Sequence, residues 1–231
     1  MKNESPGIAG ARMRDDWDRR AKEDARWHIA TNSESASAET FHARAVVDVE
    51  KFFSGIESSL HEEQDVLDLG CGVGRLAAVL APRVRSVLGV DVSGEMLDQA
   101  KEWCRDMPNV RFLQNDGVSL AGVPDGTIGL LMSYVVLHHI PRWATLGYVG
   151  EARRVLRPGG EIVLQVPTWR EGVAPTPPDD KTFEIRYYEE AEILGVLNHL
   201  GFVEASITPD PDSKPDEPFL GIRVHARVAA G

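Results

Sequence analysis

The run Asp68-Leu69-Gly70-Cys71-Gly72-Val73-Gly74 constrains this chain more than any other stretch. Its glycines follow the short apolar segment Asp65–Leu69 and precede a helical pattern, Arg75–Ala81, that Pro82 stops. Glycine adopts backbone geometry that other residues avoid, so such a run permits a sharp turn and a ligand's close approach to the main chain. Free N–H groups at the following helix start favour an anionic or polar group. Asp91 closes the next strand-like segment, Val84–Val90, where a carboxylate can accept two hydrogen bonds from a ribose diol. A generic turn with a capping acid shares these features. The strand before the run, the helix after it and the acid in register favour a nucleoside site. The spacing departs from the dinucleotide fingerprint G-x-G-x-x-G, because the third glycine comes early and Arg75 takes the later place. There is no G-x-x-x-x-G-K-[ST] run either, so a diphosphate cradle is less apt than a site for a nucleoside with an uncharged linker.

The segments around this run alternate in character. Val110–Gln114 and Thr127–Ser133 read as further strands, the second after the turn Pro124-Asp125-Gly126. Ser93 is placed to cap a helix over 94–107, which Pro108 ends. Pro141 opens a helix to about Leu156, and Pro158-Gly159-Gly160 turns the chain into the strand Glu161–Val166. Near-continuous apolar strands alternating with helices predict a parallel sheet covered on both faces. Tyr188–Leu200 reads as a helix stopped by Gly201, with Phe202–Thr208 and Gly221–Val228 as the last strands. Between them, 209–218 is acidic and turn-rich. Upstream, residues 1–10 read as a flexible tail and 11–60 as N-terminal helices, one over 12–30 and another over about 40–60, joined by a polar linker at 31–39. The expected catalytic domain is 61–231, with a proline-rich acceptor-side insert around 167–186.

The formal net charge is -11, and such a surface repels phosphate backbones, which disfavours a nucleic-acid partner. No run reaches the roughly 18 apolar residues of a membrane span, and the N-terminus lacks a signal-peptide core. A cytoplasmic protein without a membrane partner is the expectation, as a monomer or homodimer. The two cysteines, Cys71 and Cys104, form no CxxC pair, and no ligand cluster has metal-site spacing. No bound metal is expected.

Four stretches together resemble the class I S-adenosylmethionine-dependent methyltransferases: VLDLGCGVGRLAAVLA (66–81), VLGVDVSGEMLDQAKE (87–102), VRFLQNDGVSLAGVPDGTIGLLMSYVVLHHI (110–140) and EARRVLRPGGEIVLQVP (151–167). They resemble that family's motifs in the right order over most of 65–167. The resemblance implies an α/β, Rossmann-like, seven-stranded and mostly parallel sheet. Its strand order would be 3-2-1-4-5-7-6, with strand 7 antiparallel and helices on both faces. S-adenosylmethionine is the implied cofactor. Asp68 matches the acid that orients the glycine loop and the donor's amino-acid portion. Gly70, Cys71 and Gly72 match the loop against the methionine and ribose. Asp91 matches the ribose-binding acid, with Val92 and Met96 as the apolar flank of the nucleoside. Asp116 matches the acid facing the adenine amine, with Gly117 and Val118 lining the ring. Ser133 and Tyr134 match the end of the fourth strand, beside the sulfonium. Plainer readings stand beside these: Met96 as core filler, Asp116 as a turn residue, and Cys71 as a small residue without nucleophilic chemistry.

Methyl transfer from a sulfonium is an in-line displacement, so the protein mainly orients the acceptor and excludes water. An oxygen acceptor of high pKa calls for a general base, whereas an amine must only be neutral. His139 and His138, just past the fourth strand, are the candidate bases, with a structural role as the alternative for each. Trp17, Trp27 and His28 are candidates for an aromatic lid, or for a stripe that docks the N-terminal helix. Trp169, Arg170, Arg186 and Tyr187 are the candidate acceptor-pocket residues, the arginines suited to a carboxylate or phosphate or else to solvent. The function expected is methyl transfer to an O or N atom of a small-molecule acceptor. The alternatives are a protein methyltransferase and a catalytically silent S-adenosylmethionine-binding module.

Overall fold

A computed structural model describes residues 5–30, 37–169, 180–210 and 219–230. Its seven strands form one sheet in the order β3-β2-β1-β4-β5-β7-β6, flanked by helices, as the resemblance implied. The strands are β1 (Asp65–Leu69), β2 (Ser86–Asp91), β3 (Val110–Gln114), β4 (Ile128–Ser133), β5 (Leu156–Trp169), β6 (Phe202–Pro209) and β7 (Phe219–Val228). The helices are α1 (Pro6–Ala30), α2 (Ala38–Phe52), α3 (Arg75–Leu80), α4 (Gly94–Trp103), α5 (Arg142–Val155) and α6 (Glu190–His199). The chain divides into two compact units, residues 10–117 and residues 1–9 with 118–231.

In the first unit, β1 pairs parallel with β2, and β2 with β3. Val66, Leu67 and Leu69 of β1 are all buried, which explains why this strand has no polar alternation. A core cluster joins Ala21 and Ala25 of α1 to Phe41 of α2, Val73 and Met96, with Trp17, Ile29 and Trp103 packed against it. Asp48 of α2 and Arg75 of α3 form a buried ion pair at 2.5 Å, and Arg44 adds a second contact to the same carboxylate.

In the second unit, β4 and β5 are parallel, whereas β7 runs antiparallel between β5 and β6. The Pro158-Gly159-Gly160 turn lies within β5 as an irregularity, because the pairing with β4 shifts register between Ile128 and Leu130. A Cβ on Gly160 would stand 2.8 Å from the Arg157 carbonyl oxygen, so this bulge requires glycine.

Several boundaries differ from the sequence expectations. α1 begins at Pro6, so residues 6–10 of the expected tail are helical; proline suits a first helical position, and the helix buries Ala9. α1 is also interrupted: Asp24 is extended (φ -169°, ψ 92°), and its Oδ1 accepts from Trp27 N at 3.0 Å, starting the helix again. α2 stops at Phe52 rather than near 60; Gly55 turns left-handed, and a 3-10 turn follows at Glu57–Ser59. α4 stops at Trp103 and α6 starts at Glu190, each shorter than its apolar pattern suggested. β5 extends through Trp169 into the expected insert, because β7 pairs with it along that whole length. The expected linker and the acidic stretch at 209–218 fall largely outside the described residues.

Candidate functional site

The first unit gathers the expected donor residues around three loops. The glycine run turns left-handed at Gly70, Gly72 and Gly74, with φ of 77°, 53° and 75°. This is why the run needs glycine at alternate positions. The N–H groups of Gly70 and Cys71 both donate to the Val90 carbonyl, at 2.7 and 3.1 Å, which anchors the loop on the end of β2. Gly72 N donates to Asp91 Oδ2 and Ser93 N to Asp91 Oδ1, each at 2.9 Å. Asn115 N donates to the Asp91 carbonyl at 3.0 Å, bringing the 115–117 loop alongside. Val92 Cγ2 packs 3.0 Å from where Gly117 would carry a Cβ.

Asp68 is buried at the end of β1, and its Oδ2 meets no hydrogen-bonding partner among the described residues. Burial pushes its carboxyl up to about 7; the Asp91 charge adds to this, and Arg75 opposes it. Burial also raises Asp91, against the N–H groups of Ser93, Gly72 and Val92, which favour its charged form. Two acids side by side, one with an orphaned buried oxygen, form a site that an ammonium or a set of hydroxyl donors would satisfy. Cys71 is buried with its thiol pushed well above the usual range by burial, so it is no nucleophile. Met96 is a fully buried member of the core cluster, the plainer of its two readings. Asp116 is exposed and Gly117 left-handed (φ 82°). α3 is only six residues long, so it contributes a short dipole.

α1 lies against this unit's loops. Trp17 packs on the core cluster, with the Arg20 guanidinium 5.8 Å from its ring centre. Trp27 is half exposed, edge-on to the His28 ring at 4.9 Å. His28 Nε2 lies 3.5 Å from Glu23 Oε2.

The second unit holds the other expected residues. Ser133 is buried and Tyr134 half-buried at the end of β4. Val135 follows in the left-handed region (φ 58°), a strained state for a β-branched residue, with its N–H donating to Gln165 Oε1 at 3.1 Å. Leu137–His139 is a 3-10 turn held from two sides. Arg186 N donates to the His138 carbonyl at 3.0 Å, and the Tyr188 hydroxyl donates to the Leu137 carbonyl at 3.3 Å. His138 is buried, and burial, reinforced by the Arg186 charge, holds it down to about 4. A neutral imidazole of that pKa is a weak base at pH 7. His139 is less enclosed and stacks on Phe183 at 5.0 Å, with planes 5° apart. Arg186 is 0% exposed and donates to the carbonyls of Glu184 and Lys181, so its guanidinium braces the 181–186 segment. The Tyr187 carbonyl accepts from Arg142. Val118 opens this unit. Trp169 ends β5, and Arg170 lies outside the described residues.

The structure also brings Gly10, Asp18 and Ile29 of α1 against the first unit's loops, and Phe183 against His139, contacts that the sequence pattern does not single out. Asp18 sits in a charged stretch beside Asp15 and Asp16, and nothing local sets it apart. Gly10 falls in the stretch that reads as a tail, whereas in the structure it lies inside α1. Among the described residues no group of three or more His, Cys, Asp or Glu side chains is arranged to hold a metal ion. None of the described helices is long and apolar enough to cross a membrane.

Residues 66–160 match the family described as a methyltransferase domain. The trans-aconitate 2-methyltransferase of Azoarcus sp. is 38% identical over 111 residues, covering 47% of this chain and 41% of that protein. The chain spans less than half the length of the first curated relatives it matches. Among solved structures, the Burkholderia thailandensis 1,6-didemethyltoxoflavin-N1-methyltransferase aligns with a TM-score of 0.68 and 19% identity, over 99% of this chain and 92% of that one. Phosphoethanolamine N-methyltransferase 1 of Haemonchus contortus aligns with a TM-score of 0.72 and 16% identity, over 98% of this chain and 50% of that one. At these identities the structural likeness speaks for the fold alone.

Proposed function

We propose that the chain is a class I S-adenosylmethionine-dependent methyltransferase, its residues 66–160 matching a methyltransferase domain, and that it moves a methyl group from S-adenosylmethionine to an O or N atom of a small-molecule acceptor. The observation that carries the donor half is the pair Asp68 and Asp91 beside a left-handed glycine loop. Asp91 is the ribose acceptor in this reading, Asp68 the partner of the methionine ammonium, and Asp116 with Gly117 the adenine edge. When bound, S-adenosylmethionine supplies a methyl group on a sulfonium, already activated for in-line displacement. The chain's own residues then bind and orient the donor, exclude water and place the acceptor. The net charge of -11 and the small-molecule acceptors named for the relatives support a small acceptor over a nucleic acid.

Calorimetry with S-adenosylmethionine, S-adenosylhomocysteine and NAD tests the donor. Binding of NAD alone would overturn the reading. Turnover is tested by S-adenosylhomocysteine release across a panel of trans-aconitate, other small carboxylates, phenols and amines. Donor binding with no turnover on the panel or on a cell metabolite extract would favour the silent binding module. Methylation confined to proteins of that extract would favour the protein acceptor.

The Asp68 assignment predicts a pH dependence. Asp68 stays protonated to about pH 7 in the folded chain, and pairing with an ammonium favours its charged form. Donor affinity is therefore expected to rise with pH from 5.5 to 7.5, by up to about tenfold per unit below 7, until the donor's own amino group begins to lose its proton near about 7.7–8.0. Binding would release a proton, visible as a buffer-dependent calorimetric enthalpy. In Asp68→Asn the slope should vanish; a slope that persists removes the assignment.

Of the two histidines, His139 is the better base, since His138 is buried and held low. His139→Ala is expected to lower methyl transfer to an oxygen acceptor roughly 10²–10⁴-fold, the usual range for acid–base catalysis, with donor affinity unchanged. Equal rates in wild type and variant would leave His139 as a ring that only packs on Phe183.

A further inference from the structure

α1 touches every loop of the donor site in the first unit. At its start the helix backbone crosses the adenine-side loop: a Cβ on Gly10 would stand 2.0 Å from the Asp116 carbonyl oxygen. Met13 Cε lies 3.1 Å from where Gly117 would carry a Cβ, and Gly10 Cα 3.2 Å. In its middle, Asp18 Oδ1 accepts from Ser93 Oγ at 2.6 Å and from Glu95 N at 3.2 Å, at the start of α4. Gln99 Nε2 donates to the Ala21 carbonyl at 3.0 Å, one residue before Lys22 pairs with Glu95. In its last turn, Ile29 Cδ1 lies 2.8 Å from where Gly72 would carry a Cβ.

Packing alone does not require Asp18. Trp17, Ala21 and Ala25 already seat the helix on Phe41, Val73 and Met96. Asp18 instead ends a continuous line of hydrogen bonds. Ser93 Oγ donates to Asp18, Ser93 N donates to Asp91 Oδ1, and Gly72 N donates to Asp91 Oδ2. One fully buried serine thus joins the helix to the ribose-side acid and, through it, to the glycine loop. The same serine caps α4 by accepting from Met96 N at 3.1 Å. The interruption at Asp24 separates the part of α1 that carries Gly10, Met13 and Asp18 from the last turn.

Resting on the donor reading above, we propose that Asp18 is a positioning residue for the donor: it latches α1 through Ser93 onto Asp91, so that the helix roofs the nucleoside crevice and its release sets the rate of donor and product exchange. The latch holds Asp91 in register with Gly72 while the roof is closed. Exchange requires the Ser93 Oγ–Asp18 bond to break and the Gly10–Met13 turns to leave the 115–117 loop. Each departure of S-adenosylhomocysteine therefore pays the cost of opening.

The test is stopped-flow displacement of S-adenosylhomocysteine by excess S-adenosylmethionine on the full chain, followed by tryptophan fluorescence. Asp18→Ala is expected to raise the dissociation rate about tenfold and to weaken equilibrium binding in proportion. Asp18→Asn keeps an oxygen facing Ser93 Oγ and Glu95 N, and should recover most of the wild-type rate. Gly10→Ala leaves the latch intact but adds a methyl group where the Asp116 carbonyl stands, and should also speed release, despite alanine's better helix propensity. Arg19→Ala, which removes only the exposed pairs with Asp16 and Glu23, should match wild type. A folded Asp18→Ala with a dissociation rate within twofold of wild type overturns the proposal, as does a loss of melting temperature without a change in release. Failure of the wild-type chain to bind S-adenosylhomocysteine would instead bring down the donor reading itself.

Discussion

Replacing Asp91 by alanine is expected to weaken S-adenosylhomocysteine binding more than any other single change in the donor site. A hydrogen bond to a charged group contributes about 1.5–3 kcal/mol, and a ribose diol offers two. Each bond lost corresponds to roughly ten- to a hundredfold in affinity. The loss does not end with the ligand. The carboxylate also accepts from Gly72 N and Ser93 N, both at 2.9 Å, so alanine leaves two loop N–H groups without their acceptor. The glycine loop is then no longer held in the geometry that meets the donor. Folding should suffer less than binding, because the site pushes the Asp91 carboxyl upward through burial and alanine relieves that cost. Calorimetry on the folded variant separates the two effects. Unchanged donor affinity would contradict the ribose assignment, and Asp91→Asn, which keeps one acceptor oxygen, should fall between.

Asp48→Ala is expected to be the most destabilising single substitution in the first unit. Asp48 and Arg75 are both nearly inaccessible and meet at 2.5 Å, with the Arg75 guanidinium 5.8 Å from the centre of the Phe41 ring. Removing one partner of a buried pair leaves an uncompensated charge and typically costs about 3–5 kcal/mol. For a chain of this length that is roughly 6–20 °C in melting temperature. Replacing both partners, as Asp48→Leu with Arg75→Met, should recover most of the loss, because an apolar pair of similar volume is often neutral or stabilising. Thermal and urea unfolding of the single and double variants measure this. A single variant within about 1 kcal/mol of wild type would mean that water solvates the orphaned Arg75 guanidinium, and the pair would then carry little of the fold. The site should feel the change too, since the Arg75 charge is what opposes the upward push on Asp68.

Much of the geometry of the candidate donor site is legible in the sequence because its determinants are local. A left-handed φ at alternate positions demands glycine, and Gly70, Gly72 and Gly74 carry it. An acid that closes a parallel strand lies at the strand's carboxyl end whatever surrounds it, so the sequence alone puts Asp68 and Asp91 at the ends of β1 and β2. Met96 was undecidable on the same terms, since an apolar residue in the second turn of a helix faces either a ligand or the core. Only its burial with Ala21, Ala25 and Phe41 assigned it to the core. The histidine pair was visible as a pair, but its electrostatics were not. Arg186, far along the chain, supplies both the charge and the N–H that hold His138 in place.

The strand–helix alternation, the register of acid, glycine loop and second acid, and the resemblance to a methyltransferase domain over residues 66–160 are all written in the sequence. These depend on backbone sterics and on spacing within a few residues of each other. Tertiary packing is what makes residues 6–10 helical, brings Gly10 across the Asp116 carbonyl, and lets Asp18 rather than its acidic neighbours reach Ser93. Those outcomes depend on where one helix lands on another segment some 75–106 positions along the chain, a separation that no local propensity or periodicity encodes.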